Sequence, residues 1–231
     1  MSGFFYARKK ENLMGFRLPN GATLQIASAY GAAIPVTALS NANPAVATAA
    51  AHGLADGDII AVTSGWTRLN DRAARVDNSL SGTFELEKIN TVNVQPYPAG
   101  SGAGSVREVT SFTEISQITD VATSGGDQQF LTFGFLADDD DRQLPTTKNP
   151  ISMSVTVADD PGLPYVAVVE AADEDKVARV LRLNLPNGDS ILYNAYVTIT
   201  STPALSRNNL MTRVISLSLA GRPTRYSAVV A

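Results

Sequence analysis

Ile151-Ser152-Met153-Ser154-Val155-Thr156-Val157-Ala158 alternates large apolar residues with small ones, Ser, Ser, Thr and Ala, without a break. Period two is the repeat of a pleated strand, whose successive side chains point to opposite faces. Leu131, Phe133 and Phe135 form one face of a second such run, and Leu181, Leu183 and Leu185 that of a third. Ile191, Tyr193, Ala195, Val197 and Ile199 make a fourth, and a fifth turns Ile215, Leu217 and Leu219 inward and Ser216 and Ser218 outward. This pattern predicts a mainly β fold whose sheets each bury one face. The opposite faces are small and polar rather than charged, which suits an interface or a pore lining better than bulk water.

The runs are punctuated by turn chemistry. Leu185-Pro186-Asn187-Gly188 stands between two of them and reads as a hairpin, with Asn-Gly supplying positive φ angles. The same four residue types recur at Leu18-Pro19-Asn20-Gly21, ahead of Ala22 to Ile26, and predict a second hairpin. One segment is helical in pattern: Pro164 fits a first turn, and Tyr165, Val168, Val169 and Ala172 follow at i, i+3, i+4 and i+7. That short helix ends in Asp173-Glu174-Asp175, whose charges oppose the macrodipole and so call for another partner.

Between residues 36 and 104 the character changes. Ala- and Asn-rich sequence opens the stretch, and Pro96, Pro98 and Gly100-Ser101-Gly102-Ala103-Gly104 close it, like linkers around an inserted module. Short strands are expected inside at Ile59 to Thr63, Ala74 to Asp77 and Thr83 to Leu86. The expected organisation is a main β domain from residues 1–39 and 104–231, interrupted by a small surface β module at 40–103.

The chain has 231 residues with no Cys, one His and a net charge of −4. That length can bury a sizeable core. The missing cysteine removes disulfides, thiolate nucleophiles and Cys-bound zinc, and the lone His52 leaves no His-rich metal site. No apolar run reaches the roughly 18 residues of a membrane-spanning helix. Met1 to Lys10 places its basic cluster after its aromatics, the reverse of a signal peptide. His52 before Gly53 reads as a turn residue, not as a base with Asp58, because no nucleophile motif accompanies it. The glycine run lacks the Lys-Ser/Thr ending of a phosphate loop. Asp138-Asp139-Asp140-Asp141 lacks the alternating ligands and central glycine of a calcium loop. Catalytic residues, cofactors and metals are therefore not expected, and Trp66 is expected to pack the insert.

Charge is zoned. Residues 127–175 hold eleven acids against Arg142 and Lys148, while residues 176–231 hold seven basic groups against Asp189 alone. Asp138 to Asp141 are expected in a loop at one end of the sheet. Arg207 and Arg213, which flank the last long strand, are candidates to meet that loop from another subunit or to face a lumen. The acidic balance argues against general nucleic-acid binding.

Two stretches carry a resemblance. Ala51-His52-Gly53-Leu54-Ala55-Asp56-Gly57-Asp58-Ile59-Ile60-Ala61-Val62, then Leu69-Asn70, Arg75-Val76 and Thr83-Phe84-Glu85-Leu86, resembles a small β module found in bacteriophage tail proteins. It also resembles the first catalytic-cysteine half-domain of ubiquitin-activating enzymes, whose chemistry a cysteine-free chain lacks. Residues Arg107 to Arg225 resemble the tail tube (major tail) protein of long-tailed, non-contractile phages, through the order of their elements. A Phe-rich strand leads to a polar loop, a Ser/Val strand, a short Ala/Val helix, the Leu185-Pro186-Asn187-Gly188 hairpin and a strand ending Ala220-Gly221-Arg222-Pro223-Thr224. The resemblance implies a barrel-forming β-sandwich domain with one short helix, plus the inserted β domain. It implies six-fold rings stacked head to tail into a tube, DNA passing through without specific binding, and other tail proteins at the tube ends. It implies a virion location, with assembly in host cytoplasm, and no catalytic residues. The insert lies near the N-terminus, whereas decoration domains in relatives sit at the C-terminus. A carbohydrate- or receptor-binding module of a tail fibre or baseplate, with Trp66 and tyrosines as exposed platforms, is the alternative.

Overall fold

The computed structural model describes residues 20–137 and 139–228. Met1 to Lys10, Leu18, Pro19 and Asp138 lie outside the described residues. The first half of the chain contributes β1 (Thr23–Val36), β2 (Ala38–Leu39), β3 (Ala45–Thr48), β4 (Ile59–Ser64), β5 (Arg72–Leu80) and β6 (Thr83–Leu86). Then come β7 (Gly104–Ile115), β8 (Ile118–Gly125), β9 (Gln128–Phe133), β10 (Arg142–Lys148) and β11 (Ile151–Ala158). The helix α1 (Pro164–Asp175) precedes β12 (Arg179–Asn184), β13 (Ser190–Ile199), β14 (Thr212–Leu219) and β15 (Thr224–Tyr226). The fold is mainly β, as the alternation predicts.

Thirteen strands form one sheet in the order β2-β3-β6-β5-β4-β7-β1-β12-β13-β14-β11-β8, with β15 added to β13, while β9 and β10 form a separate ribbon. The large sheet curls into half a barrel. Register shifts along the β1–β7 pair, between Ala27 and Ala33, add local twist to that curl.

The helix decides which face is inside. Met153, Val155 and Val157 of β11 join Ile215 and Leu217 of β14, Val197 of β13 and Leu181 of β12 beneath Tyr165, Val166, Val169 and Ala172 of α1. Fully burying an aliphatic side chain of this size contributes about 1.5–3 kcal/mol. A one-residue slip would present serines to the helix instead, so the pattern pins the register Met153↔Leu217 and Val155↔Ile215. At the acidic C-terminus of α1, Ile199 N–H donates to Asp173 (3.3 Å) and Val177 N–H donates to Asp175 (2.8 Å). Asp175 also pairs with Arg179. These partners compensate for the unfavourable dipole, and Lys176 closes the helix in the left-handed region.

Two details differ from the expected pattern. The Leu185–Gly188 turn does join β12 to β13, but Gly188 alone takes a positive φ (+84°). Leu185 N–H donates to Asp189 O and Gly188 N–H to Leu185 O, which makes a three-residue loop with a glycine bulge rather than a two-residue Asn-Gly turn. Pro186 explains the choice, since its locked negative φ favours the first central position of a type I turn. At Asn20-Gly21 the structure has a turn leading into β1, and the residues before it lie outside the described range.

The second difference is larger. Leu131, Phe133 and Phe135 do not pack against a core: the strand ends at Phe133, and Phe130, Leu131, Phe135 and Leu144 are all more than half exposed. Consecutive left-handed glycines, Gly125 and Gly126 (φ +83° and +84°), turn the chain out of the sheet after β8. The β9–β10 ribbon therefore stands off the body.

Segment 40–103 builds a cluster of its own around Trp66, Phe84, Leu86 and Ile89, to which Val36 and Val106 contribute from β1 and β7. Trp66 is 1% exposed and its indole N–H donates to Pro98 O (2.7 Å). The closing glycine run packs tightly, since a Cβ on Gly102 would lie 2.9 Å from both Leu39 and the Trp66 ring. A third cluster (Ala27, Ile59, Ala73, Val109, Val180, Leu192 and Tyr226) joins this segment to the rest. β4 also pairs directly with β7.

Candidate assembly surfaces

Away from the helix, β8, β11, β14 and β13 present an open face. Its register rows are Ser124–Ser152–Ser218–Tyr196 and Ala122–Ser154–Ser216–Thr198, followed by Asp120–Thr156–Val214. The first two rows carry no charge, and Ser124 and Ser152 share a hydrogen bond (2.9 Å). The Ser/Thr alternation of the sequence becomes a neutral hydroxyl carpet. β8 borders it as an edge strand with no neighbour on its outer side among the described residues. An unpaired edge of this length is a template for another chain.

The two ends of β11 and β14 differ in chemistry. At the Ile151/Leu219 end stands the β9–β10 ribbon, whose connecting turn carries Asp139, Asp140 and Asp141, all exposed. At the Ala158/Thr212 end lies the 200–211 loop, with exposed Leu205 (71%), Leu210 (64%) and Met211 (49%). Arg207 is exposed there. Arg213 lies on β14 at the same end, but its guanidinium donates to Thr200 O (2.9 Å), lies 3.5 Å from Glu170, and its side chain is only 12% exposed. Within one chain the acidic turn is thus separated from Arg207 and Arg213 by the length of the sheet. The apolar side chains of ribbon and loop were not foreseen as surface. Strand periodicity carries no mark of whether a face is covered.

His52 and Asp58 are each held by their own local hydrogen bonds. His52 is buried with Nε2 at 2.6 Å from Leu80 O, its Nδ1 accepts from Leu54 N–H (3.1 Å), and it meets the Phe84 ring edge-on. Asp58 accepts from Ala55 N–H (2.7 Å) in the adjacent turn, so the two groups serve separate turns. Among the described residues, no three His, Asp or Glu side chains cluster as metal ligands, and no helix is long and apolar enough to cross a membrane.

The third cluster also holds a polar network. Arg75 N–H donates to the Tyr226 hydroxyl (3.0 Å), which donates in turn to Glu87 O (3.3 Å). The Arg75 guanidinium lies 4.6 Å from the Tyr226 ring centre and pairs with Glu87. Burial pushes the Tyr226 phenol above its usual range, against the opposing Arg75 hydrogen bond. On the next turn, the hydrogen bond from Arg225 holds the Asp189 carboxyl below its usual range.

Comparison with known proteins gives a family. The profile of the family described as "Phage tail tube protein, TTP" matches residues 64–228. No curated protein matches the sequence. Among solved structures, the tail of an empty gene transfer agent particle, refined helically with C6 symmetry, has a TM-score of 0.41 at 13% identity, covering 50% of this chain and 87% of that one. The native gene transfer agent virion gives 0.40 at 12% identity, covering 50% and 89%. The tube-terminating cap of the anti-feeding prophage gives 0.34 at 18%, covering 46% and 79%.

Proposed function

Because this chain belongs to the phage tail tube protein family, we propose that it assembles into hexameric rings stacked head to tail, forming the non-contractile tail tube that delivers double-stranded DNA. It is a structural component of phage-like particles. In this reading the subunits assemble in host cytoplasm, and other tail proteins bind the tube ends.

One observation carries the reading. The two ends of the β11–β14 strands bear unpartnered surfaces of opposite kind: an apolar ribbon with an acidic turn, and an apolar loop with Arg207. A contact joining unlike ends of identical chains repeats without closing along its axis, which is the geometry of a filament. Asp138 to Asp141 of one ring then meet Arg207 of the next, with Arg213 held behind it by Thr200 and Glu170. The edge of β8 serves lateral pairing within a ring. The hydroxyl face, whose register rows hold Asp120 and no cation, lines the lumen: DNA carries one negative charge per about 1.7 Å of axis, so a basic lining would hold it and one without cations lets it slide.

The alternative, a carbohydrate- or receptor-binding module, is not favoured, since Trp66 is buried and offers no platform. Negative-stain microscopy of concentrated protein, with light scattering across a concentration series, tests the proposal. Rings or tubes are expected. A protein that stays monomeric at every concentration, even with a tail-tip seed, refutes it.

A further inference from the structure

Three cations surround one recess at the Ile151/Leu219 end. Arg68 follows β4, Lys148 ends β10 and Arg222 follows β14, so residues scattered over much of the chain converge on a hollow of about 270 Å³. No acidic side chain lines it. All three cations are exposed, and none of them makes an ion pair or side-chain hydrogen bond among the described residues. A fourth, Arg72, lies close to Arg222 and donates to Thr224 Oγ1 (2.7 Å). Like charges gathered without a counter-charge make a recess that is complementary to anions.

The opposite end of the same strands carries a set of acids beside Arg207 and the paired Arg213. After Ala158 the chain turns through Asp159 and Asp160, and α1 adds Glu170, Asp173 and Glu174. Asp173 accepts from Ile199 N–H, Glu170 lies beside Arg213, and Asp160 accepts from Gly162 N–H (3.1 Å) and lies 3.4 Å from Gln117 Nε2. The Asp159 carboxylate has no hydrogen-bond or ion-pair partner among the described residues. Recess and acidic turn are separated by the length of β11, about 25 Å at the rise of an extended strand. One chain therefore cannot satisfy its own recess, and a second copy presents the matching charge.

We propose that the Arg68–Lys148–Arg222 recess is the seat for the Asp159–Asp160 turn of another copy of this chain. The proposal rests on the stacking reading above and adds to it a second axial contact, distinct from the ribbon. It also gives segment 40–103 a part in that contact, since Arg68 belongs to it. Nucleic acid is the less favoured occupant, because the cations occupy one hollow while the register rows of the adjacent open face carry no cation. Duplex binding draws on a track of phosphate contacts.

The test is charge reversal in the full chain. Arg68→Glu with Arg222→Glu forms one variant, Asp159→Lys with Asp160→Lys a second, and all four changes a third. Arg68→Gln with Arg222→Gln serves as a milder version should the first fail to fold by circular dichroism. Assembly is followed by light scattering and negative stain. Each two-site reversal is expected to slow growth about tenfold or more. The four-site chain should regain growth with itself but fail to extend wild-type tubes. Wild-type growth in the two-site variants, or no recovery in a folded four-site chain, overturns the seat while leaving the tube reading intact. Absence of tubes from wild-type protein defeats the tube reading itself. A short fluorescent DNA duplex that binds wild type and not the Gln variant, with assembly unchanged, makes the recess a DNA site and likewise overturns the proposal.

Discussion

Replacing Tyr226 by phenylalanine removes one oxygen atom from the seam between segment 40–103 and the rest of the chain. The ring stays in place, fully buried among Ala27, Ile59, Ala73, Val109, Val180 and Leu192. What is lost is the acceptor for Arg75 N–H at 3.0 Å and the donor to Glu87 O at 3.3 Å. A buried polar group left unsatisfied costs about 1–3 kcal/mol. The Glu87 bond is long and contributes less, so Tyr226→Phe should destabilise the protein by about 1.5–3 kcal/mol. Tyr226→Ala also empties the ring's space, for which aromatic truncations cost about 3–5 kcal/mol. It removes the stacking partner of the Arg75 guanidinium as well, worth about 0.5–1 kcal/mol more. Denaturant unfolding followed by circular dichroism measures both. The midpoint should fall in the order wild type, Phe, Ala, with an unchanged slope for Phe, since the surface exposed on unfolding is the same. For Ala, segment 40–103 is expected to lose its coupling to the remainder and to melt first. A Phe variant within about 0.5 kcal/mol of wild type would mean that the two hydrogen bonds contribute nothing net. An Ala variant no worse than Phe would refute the idea that this ring fastens the seam.

Changing Asp138, Asp139, Asp140 and Asp141 together to Asn should leave circular dichroism unchanged and slow tube growth. Each exposed pair is worth only about 0–1 kcal/mol, but every subunit repeats it. Wild-type growth should also slow at about 1 M salt, where the Debye length is near 3 Å, and normal growth of the variant at low and high salt alike removes the ribbon contact. Replacing residues 40–103 by a short Gly/Ser linker should leave a chain that still folds around α1, weakened because β7 loses β4 and Tyr226 loses Arg75; absence of a cooperative transition refutes the division at 40 and 103. Burial raises the phenols of Tyr30, Tyr165, Tyr193 and Tyr226 above their usual range. These groups hold protons longer folded than unfolded, so their stabilisation is complete below the unfolded value of about 10 and is lost as pH rises through the higher folded values. Denaturant midpoints should therefore be level up to about pH 10 and drop beyond it, a drop that Tyr226→Phe reduces; midpoints that do not fall would contradict the buried phenols.

Reading Ile151 to Ala158 as a strand needs only local geometry, because the pleat sends alternate side chains to opposite faces wherever the strand finds itself. The same holds for Pro164 opening a helix and for Leu185–Gly188 turning the chain, although the type of that turn depended on Pro186 and on which residues closed it. The acids Asp139 to Asp141 were legible as a solvated turn for a similar reason, since adjacent like charges resist burial. The fate of Leu131, Phe133 and Phe135 was not legible. Their alternation matches that of β11, yet one face lies under α1 and the other stands in the open, because no partner within the chain reaches it.

The seam and the recess lay further beyond reach. Tyr226 fastens Arg75 and Glu87 across about 140–150 intervening residues, and Arg68, Lys148 and Arg222 meet only because β4, β10 and β14 end at the same corner of the sheet. Each looks ordinary in its local sequence. Sequence alone determined the strongly alternating strands, the Leu185–Gly188 turn and the helix, since torsional preference and side-chain period act over a few residues. It left β7 and β8 unmarked and read β10 as a polar loop, because their residues show no such period. Tertiary structure decided which faces are covered, which edge is free and which charges share a hollow, because those depend on long-range strand pairing that no local pattern encodes.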